Sequence, residues 1–388
     1  MHDERRDTLL IILGAGASYD CLPPGCDDSV PLTIGDLPTL PMAQARPPLT
    51  QQLASARPLT NWLLDRWPSA APVIDDLRRR LDDRDNADLA LTLERALANY
   101  PQVQAEVIPE VKRHMLAVRF YLRDLLWAVT DYMTAPQLTG GITNHLTLLR
   151  AAMAWRSRGH RDVVFVSFNY DLLLEHAIGR WSTFNLTDIT SYLADPLLSV
   201  LKPHGSVQWH WTSEHREYSS SLHEHGLKSI ELAMSEANLE DMELRCLSPP
   251  PHSPHSTSLS NRRFHVPALA LPVDDKSEFI WPDEQANRFR ALQGSVSRLL
   301  TVGWRAMEPH FLDLLQPVLR NDAKVVVTAG GRNGPDEADE AQDRLQAATH
   351  RNSTAARVRP ENWRIYGDGF TDLLRNSKEL RWLLEDDS

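Results

Sequence analysis

Residues Leu9–Leu13 (LLIIL) form an unbroken apolar run that stops abruptly at Gly14-Ala15-Gly16-Ala17-Ser18. This junction constrains the fold more than any other stretch of the chain. A run with no polar face fits a strand buried on both faces of a parallel sheet. Two glycines then permit a tight turn and a close backbone approach to something bulky and polar. A helix starting at about Ala17 turns its unbonded N–H groups and positive dipole end toward that turn, as a pyrophosphate requires. An ordinary strand-to-helix turn is the competing reading. The position directly after a buried-type strand favours nucleotide phosphate binding. Hydride transfer is disfavoured, because a dehydrogenase pattern continues to a third glycine and a second strand carrying an acid. Here the third position is Tyr19, and Cys21-Leu22-Pro23-Pro24-Gly25 follows.

With 388 residues, 42% hydrophobic and 24% charged, the chain can bury one large core or two modest ones. Its net charge of −11 gives no general attraction to nucleic acid or anionic membrane. No apolar run approaches the roughly 20 residues of a membrane span. The opening Met1-His2-Asp3-Glu4-Arg5-Arg6 is not a signal peptide. Cys21, Cys26 and Cys246 form no CxxC pair and cannot make a four-thiolate zinc site, so reduced thiols and a cytoplasmic location are expected.

The remaining pattern is α/β. Val163–Ser167 reads as a second buried strand and Leu197–Leu201 as a third. Ala268–Leu271, Leu299–Val302, Lys324–Thr328 and Trp363–Tyr366 are further candidates. Helical spacing lies between several of them, at Leu172–Gly179, Glu284–Ser297, Phe311–Arg320, Glu337–Ala348 and Phe370–Leu384. This alternation predicts a Rossmann-like, doubly wound parallel sheet of about six strands. Pro31–Pro48 reads as a long loop crossing the mouth of the site. From residue 49 to 134 there is no strand signal. Leu53–Trp67, Ala71–Leu81, Ala87–Tyr100 and Val103–Met133 carry apolar residues at three- and four-residue spacing, and Asn144–Arg156 adds a further helix. The expected division is therefore a Rossmann-like domain over 1–48 and 135–388 and an all-helical insertion over 49–134. That insertion packs, lids the site or mediates self-assembly. Trp209–Glu243 is polar and His-rich, and Ser248–Ser260 is of low complexity. The histidines in these stretches lack fixed ligand spacing, so no metal is expected.

In a doubly wound sheet, ligands bind beyond the carboxyl ends of the strands. Three further stretches fall there: Phe168-Asn169-Tyr170-Asp171, Lys202-Pro203-His204-Gly205-Ser206, and Gly303-Trp304-Arg305. Singly, each has a plain structural reading. Asn169 or Asp171 can cap a helix, His204 can be a satisfied turn histidine, and Gly303 can be a turn glycine. Together with Gly14–Ser18 they are expected to converge on one crevice.

In this order GAGAS, FNYD, KPHGS and VGW resemble the sirtuin-like NAD-binding family, and most of all its bacterial anti-phage branch, whose members hydrolyse NAD. RPPLT, Leu93-Glu94 and Gly367-Asp368-Gly369-Phe370 look like the subunits that work beside a HerA-type hexameric ATPase. The resemblance implies that Gly14, Ala15, Gly16, Ala17 and Ser18 hold the pyrophosphate and that Asn169 binds the nicotinamide ribose and places water. It implies that Asp171 holds the loop or the ribose, that His204 is a general base, and that Gly303 contacts the adenosine side. NAD is then the substrate, and any contact with nucleic acid runs through the partner. The deacylase zinc cysteines are absent, and Pro272-Val273-Asp274-Asp275 offers no evident acyl-lysine channel, so water is the expected nucleophile. The expected function is an NAD glycohydrolase that depletes the cofactor in defence, with a homo-oligomer as the expected state. The alternatives are an NAD- or ADP-ribose-sensing module that governs the ATPase, a nuclease component or, least favoured, a deacylase.

Overall fold

Strand β1 (Asp7–Leu13) runs straight into a single helical turn, α1 (Ala15–Tyr19). The computed structural model describes residues 7–21, 29–49, 52–55, 57–82, 109–135, 142–159, 161–182, 188–217, 242–247, 263–270, 279–350 and 358–386. After α1 come a two-residue hairpin, β2 (Pro31–Leu32) and β3 (Leu40–Pro41), and the short α2 (Met42–Ala45). Helices α3 (Pro58–Arg66), α4 (Ala71–Asp82), α5 (Pro109–Thr134) and α6 (Asn144–Arg156) follow. The chain then forms β4 (Arg161–Ser167), α7 (Leu173–Trp181) and β5 (Leu198–Leu201). Next come β6 (Gly205–Glu217), β7 (Met242–Cys246) and β8 (Arg263–Leu269). The last third is α8 (Asp283–Arg290), β9 (Val296–Val302), α9 (Pro309–Leu315), β10 (Leu319–Thr328), α10 (Gly334–His350) and β11 (Trp363–Tyr366). Helices α11 (Gly369–Asn376) and α12 (Lys378–Leu384) close the described chain.

Six strands form the central sheet in the order β5-β4-β1-β9-β10-β11, and every neighbouring pair is parallel. Renumbered among themselves, these strands run 3-2-1-4-5-6, the doubly wound order whose crevice opens where the winding reverses. That reversal falls between β1 and β9. The apolar run of β1 splits between the two faces as a fully buried strand must. Leu10 and Ile12 pack with Val164, Phe289 and Phe311 on one side. Leu9, Ile11 and Leu13 pack with Phe165, Leu149 and Ile178 on the other.

A third core joins α3, α4 and α5 to Leu32–Ala45, to Leu172 and Leu173, and to Val207, Met242 and Val266 of the second sheet. Its polar centre is a fully buried pair. Arg123 donates from Nε and Nη2 to Asp124 Oδ1 at 2.8 and 2.7 Å, and Trp67 Nε1 donates to Asp124 Oδ2 at 2.8 Å. Arg66 Nε also approaches Asp124 Oδ2 at 3.5 Å, so removing Arg123 would leave this buried carboxylate with one weaker ion partner.

The six-stranded sheet agrees with the sequence reading, but several boundaries move. Ala268 and Leu269 end β8, a strand of the antiparallel sheet β7-β6-β8 and not of the central one; Leu271 lies outside the described residues. The stretch from Trp209, read as a polar interruption, begins inside β6, whose Val207 and Trp209 are buried. The helix read over Glu284–Ser297 stops at Arg290, because Val296 and Ser297 already belong to β9. Likewise Leu319 and Arg320 open β10 rather than prolonging α9. Phe370–Leu384 breaks at Ser377, whose Oγ accepts the Leu380 N–H at 2.9 Å and caps α12. The helices read over Ala87–Tyr100 and at the start of Val103–Met133 lie outside the described residues.

His145, in the first turn of α6, is 1% exposed and edge-on to Phe370, and its Nδ1 lacks a hydrogen-bond partner among the described residues. Burial holds its pKa down at about 4. The folded protein therefore keeps this ring neutral while the unfolded chain protonates near 6.5. Stability is full above pH 6.5 and falls as pH drops toward 4, by about 3 kcal/mol over that window. His145→Leu is expected to flatten this part of the pH–stability curve measured by urea denaturation. Parallel curves for variant and wild type would contradict the assignment.

Candidate active site

Beyond the carboxyl ends of the central strands lies a cleft of about 610 Å³. It spans the β1–β9 reversal, the position at which a doubly wound sheet offers a ligand crevice. Gly14, Ala15, Gly16 and Ser18 line it from the β1 turn, Asn169 and Asp171 from the segment after β4, His204 from the turn after β5, and Gly303 from the turn after β9. Ala17 is fully buried and does not line it.

The glycines of the first turn line the cleft and also make a close contact within the protein. A Cβ on Gly14 would stand 2.4 Å from the Gly303 carbonyl oxygen, and one on Gly16 would stand 2.8 Å from Gly303 Cα. The close approach is thus to the backbone of the β9 turn. The Gly14 N–H donates to Val302 O at 2.9 Å and the Gly16 N–H to Gly303 O at 3.3 Å. Those two amides are engaged within the protein. The helix starts at Ala15, not Ala17, and spans only five residues, so its dipole is that of one turn.

Asn169, 7% exposed, completes the turn. Its Nδ2 donates to Gly14 O and to Ser18 Oγ, both at 2.8 Å. Its Oδ1 accepts no hydrogen bond among the described residues, which leaves an acceptor at the cleft wall. Asp171 Oδ1 accepts the Leu173 N–H at 3.1 Å, a local bond just ahead of α7. The Asp171 main-chain oxygen accepts from Lys202 Nζ at 2.8 Å. The imidazole of His204 is half-buried between two aromatic rings, edge-on to Phe168 at 4.9 Å and tilted 27° to Tyr170 at 6.0 Å.

Several cleft residues carried no role in the sequence reading. Phe168 and Trp304, both at the cleft, stack on each other at 5.4 Å with planes 2° apart, and Trp304 Nε1 donates to Glu308 Oε2 at 2.7 Å. Asp20 reaches over to cap α11, accepting from Thr371 N at 2.9 Å and Thr371 Oγ1 at 2.7 Å. Leu122 and Leu126 of α5, with Leu49 and Leu53, supply an apolar wall from the helical segment. An aromatic within two residues of the end of each of two buried strands, Phe168 and Trp304, was the visible signal for the stacked pair. The wall left none, because nothing in a helical stripe says which strand end it covers.

The described lining carries the carboxylates of Asp20, Asp171, Glu308, Glu337 and Asp368 against one arginine, Arg305, which pairs with Glu337 at 3.0 Å. Such a surface stabilises positive charge that develops on a ligand and repels its anionic groups. Among the described residues, no group of three or more His, Cys, Asp or Glu is placed to hold a metal ion. No helix among them is long and apolar enough to cross a membrane.

No protein-family model and no curated protein matches the sequence. Among solved structures the chain is similar to a Sir2 homologue in complex with NAD, at 11% identity and a TM-score of 0.41, covering 97% of this chain and 91% of that one. A second similar structure is a mutant Sir2 homologue in complex with 2′-O-acetyl ADP-ribose, at 12% identity and a TM-score of 0.37, covering 89% and 95%. A third is a Sir2 structure bound to a propionylated peptide, at 12% identity and a TM-score of 0.33, covering 89% and 92%. The fold class itself rests on the sheet order observed in this chain.

Gly303 sits at φ 59°, and a Cβ there would fall 2.4 Å from Gly16 Cα and 2.6 Å from Ala17 N. Gly303→Ala is expected to lower stability by about 2–3 kcal/mol through combined overpacking and left-handed strain. A urea midpoint equal to that of wild type would contradict the contact.

Proposed function

We propose that the cleft binds NAD and that the protein hydrolyses its nicotinamide–ribose bond, releasing nicotinamide, ADP-ribose and a proton. The observation that carries this reading is the meeting of four strand-end segments, GAGAS, FNYD, KPHGS and VGW, around one cleft at the reversal of the sheet. Glycosidic cleavage needs a fixed ribose, a placed water and a base of near-neutral intrinsic pKa. In this reading the β1 turn, with Ser18, borders the pyrophosphate. Asn169, its amide nitrogen already anchored, presents Oδ1 to a ribose hydroxyl or to water. His204 accepts the proton. Asp171 holds the loop that carries Asn169. The Gly303–Arg305 turn faces the adenosine half. The carboxylates of the lining favour the positive charge that builds on the ribose as neutral nicotinamide leaves.

The sirtuin-like motif order supports placing this activity in cofactor depletion during phage defence, restrained until triggered. A HerA-type ATPase is the proposed partner and the helical segment the proposed self-assembly surface. The weak pull of an acidic chain on nucleic acid makes a nuclease role the poorer alternative.

Purified protein, supplied with partner and trigger, is expected to release nicotinamide from NAD. His204→Ala is expected to reduce that rate by at least about 100-fold without changing the fold. Asn169→Ala is expected to lose turnover and, because it also frees Gly14 O and Ser18 Oγ, about 1 kcal/mol of stability. Chromatographic assay of nicotinamide checks both. NAD left intact by the complete mixture would contradict hydrolysis, and tight NAD binding without turnover would identify the sensing module instead.

A further inference from the structure

The side chain of Lys202 is fully buried, two residues before His204, and does not line the cleft. Its Nζ donates to Glu175 Oε1 at 2.6 Å and to the Asp171 main-chain oxygen at 2.8 Å. One ammonium thus ties together the end of β5, the segment after β4 and the first turn of α7. Stability does not account for it. A buried ion pair roughly balances attraction against desolvation, and apolar residues of similar volume commonly do as well or better. Here Glu175 Oε1 also accepts from Tyr192 Oη at 3.3 Å, while Glu175 Oε2 is buried with no hydrogen-bond partner among the described residues.

What the pair does provide is direction. The Lys202 main chain is pinned on both sides, its N–H donating to Gln285 Oε1 at 2.9 Å and its carbonyl accepting the Gly205 N–H at 3.0 Å. That second bond closes the turn bearing His204, whose own carbonyl accepts the Ala270 N–H at 2.9 Å. On the other side, Asp171 is held by its bond to the Leu173 N–H, and Asn169, two residues earlier, is clamped to Gly14 and Ser18. Lys202 therefore links two locally rigid pieces, one presenting Asn169 and the other presenting His204.

We infer that Lys202, together with Glu175, is a positioning residue that sets the placement of His204 relative to Asn169 across the cleft. The inference rests on the reading of this cleft as an NAD-hydrolysing site. Its geometric core can also be tested without that reaction.

Lys202→Met alone strands the Glu175 charge and confounds folding with function, so the test is the double variant Lys202→Met/Glu175→Leu. It is expected to melt close to wild type and to bind ADP-ribose within about threefold of it. Its kcat for nicotinamide release is expected to fall roughly 10- to 100-fold with KM little changed. A folded double variant with wild-type kcat overturns the inference, and so does a double variant that cannot fold, since the pair is then structural. The second readout is NMR of histidine-labelled protein, with the His204 ring signal assigned from its absence in His204→Ala. That signal is expected to shift or broaden in the double variant, and an unchanged signal overturns the positioning claim. If wild type never hydrolyses NAD yet the signal responds, the hydrolase reading fails and the positioning claim stands.

Discussion

Two backbone turns pressed together, with no side chain between them, are the constraint from which the site follows. β1 and β9 are neighbours at the reversal of the sheet, and their continuations, Gly14–Gly16 and Gly303, meet at a spacing that admits no Cβ on either side. Asn169 then locks the first turn from the β4 side through Gly14 O and Ser18 Oγ. Moving either turn would displace both walls of the cleft and the asparagine with them. The glycines are thus required by the protein's own packing, and whatever binds there meets a surface already shaped.

The cleft is asymmetric along its length. At the β4–β5 side stand Asn169, Asp171 and His204, flanked by the aromatics Phe168 and Tyr170 and by the apolar wall that α5 contributes. At the β9–β11 side stand glycine-rich turns, with Arg305, Glu337 and Asp368 around them. This polarity suits an elongated ligand with a flat ring at one end and a polar, solvated group at the other. It also gives the helical segment a part in the site. Its core is continuous with the second sheet, with Leu172 and Leu173 and with Tyr170, so α5 is packed against the segment that bears Asn169 and Asp171.

Legibility in the sequence followed burial. β1, β4, β9 and the second half of β10 are largely apolar because both faces of each are covered, and such runs announce themselves in a single sequence. The turns after them carried glycine, asparagine and histidine at positions that the doubly wound rule converts into a common location. What failed was local and sheet-specific. β6 alternates apolar and polar residues and contains histidines, so it read as an interruption, although Gln208, Trp209 and His210 are all inside. Ala268 and Leu269 looked like a strand and are one, but nothing in four apolar letters says which sheet a strand joins. Lys202 and Glu175 stayed silent because a lysine after a strand and a glutamate in a helix are ordinary on a surface. Only the fold shows that both are buried against each other.

The central claim is that one ligand lies across the β1–β9 reversal with its ribose beside Asn169 and His204. A structure determined with ADP-ribose added tests it most directly. The account predicts density running from the Gly330–Asp368 end of the cleft, over the Gly14–Gly303 contact, to within hydrogen-bond distance of Asn169 Oδ1 and the His204 ring. Density at another surface, or a cleft left empty at saturating ligand, would contradict it.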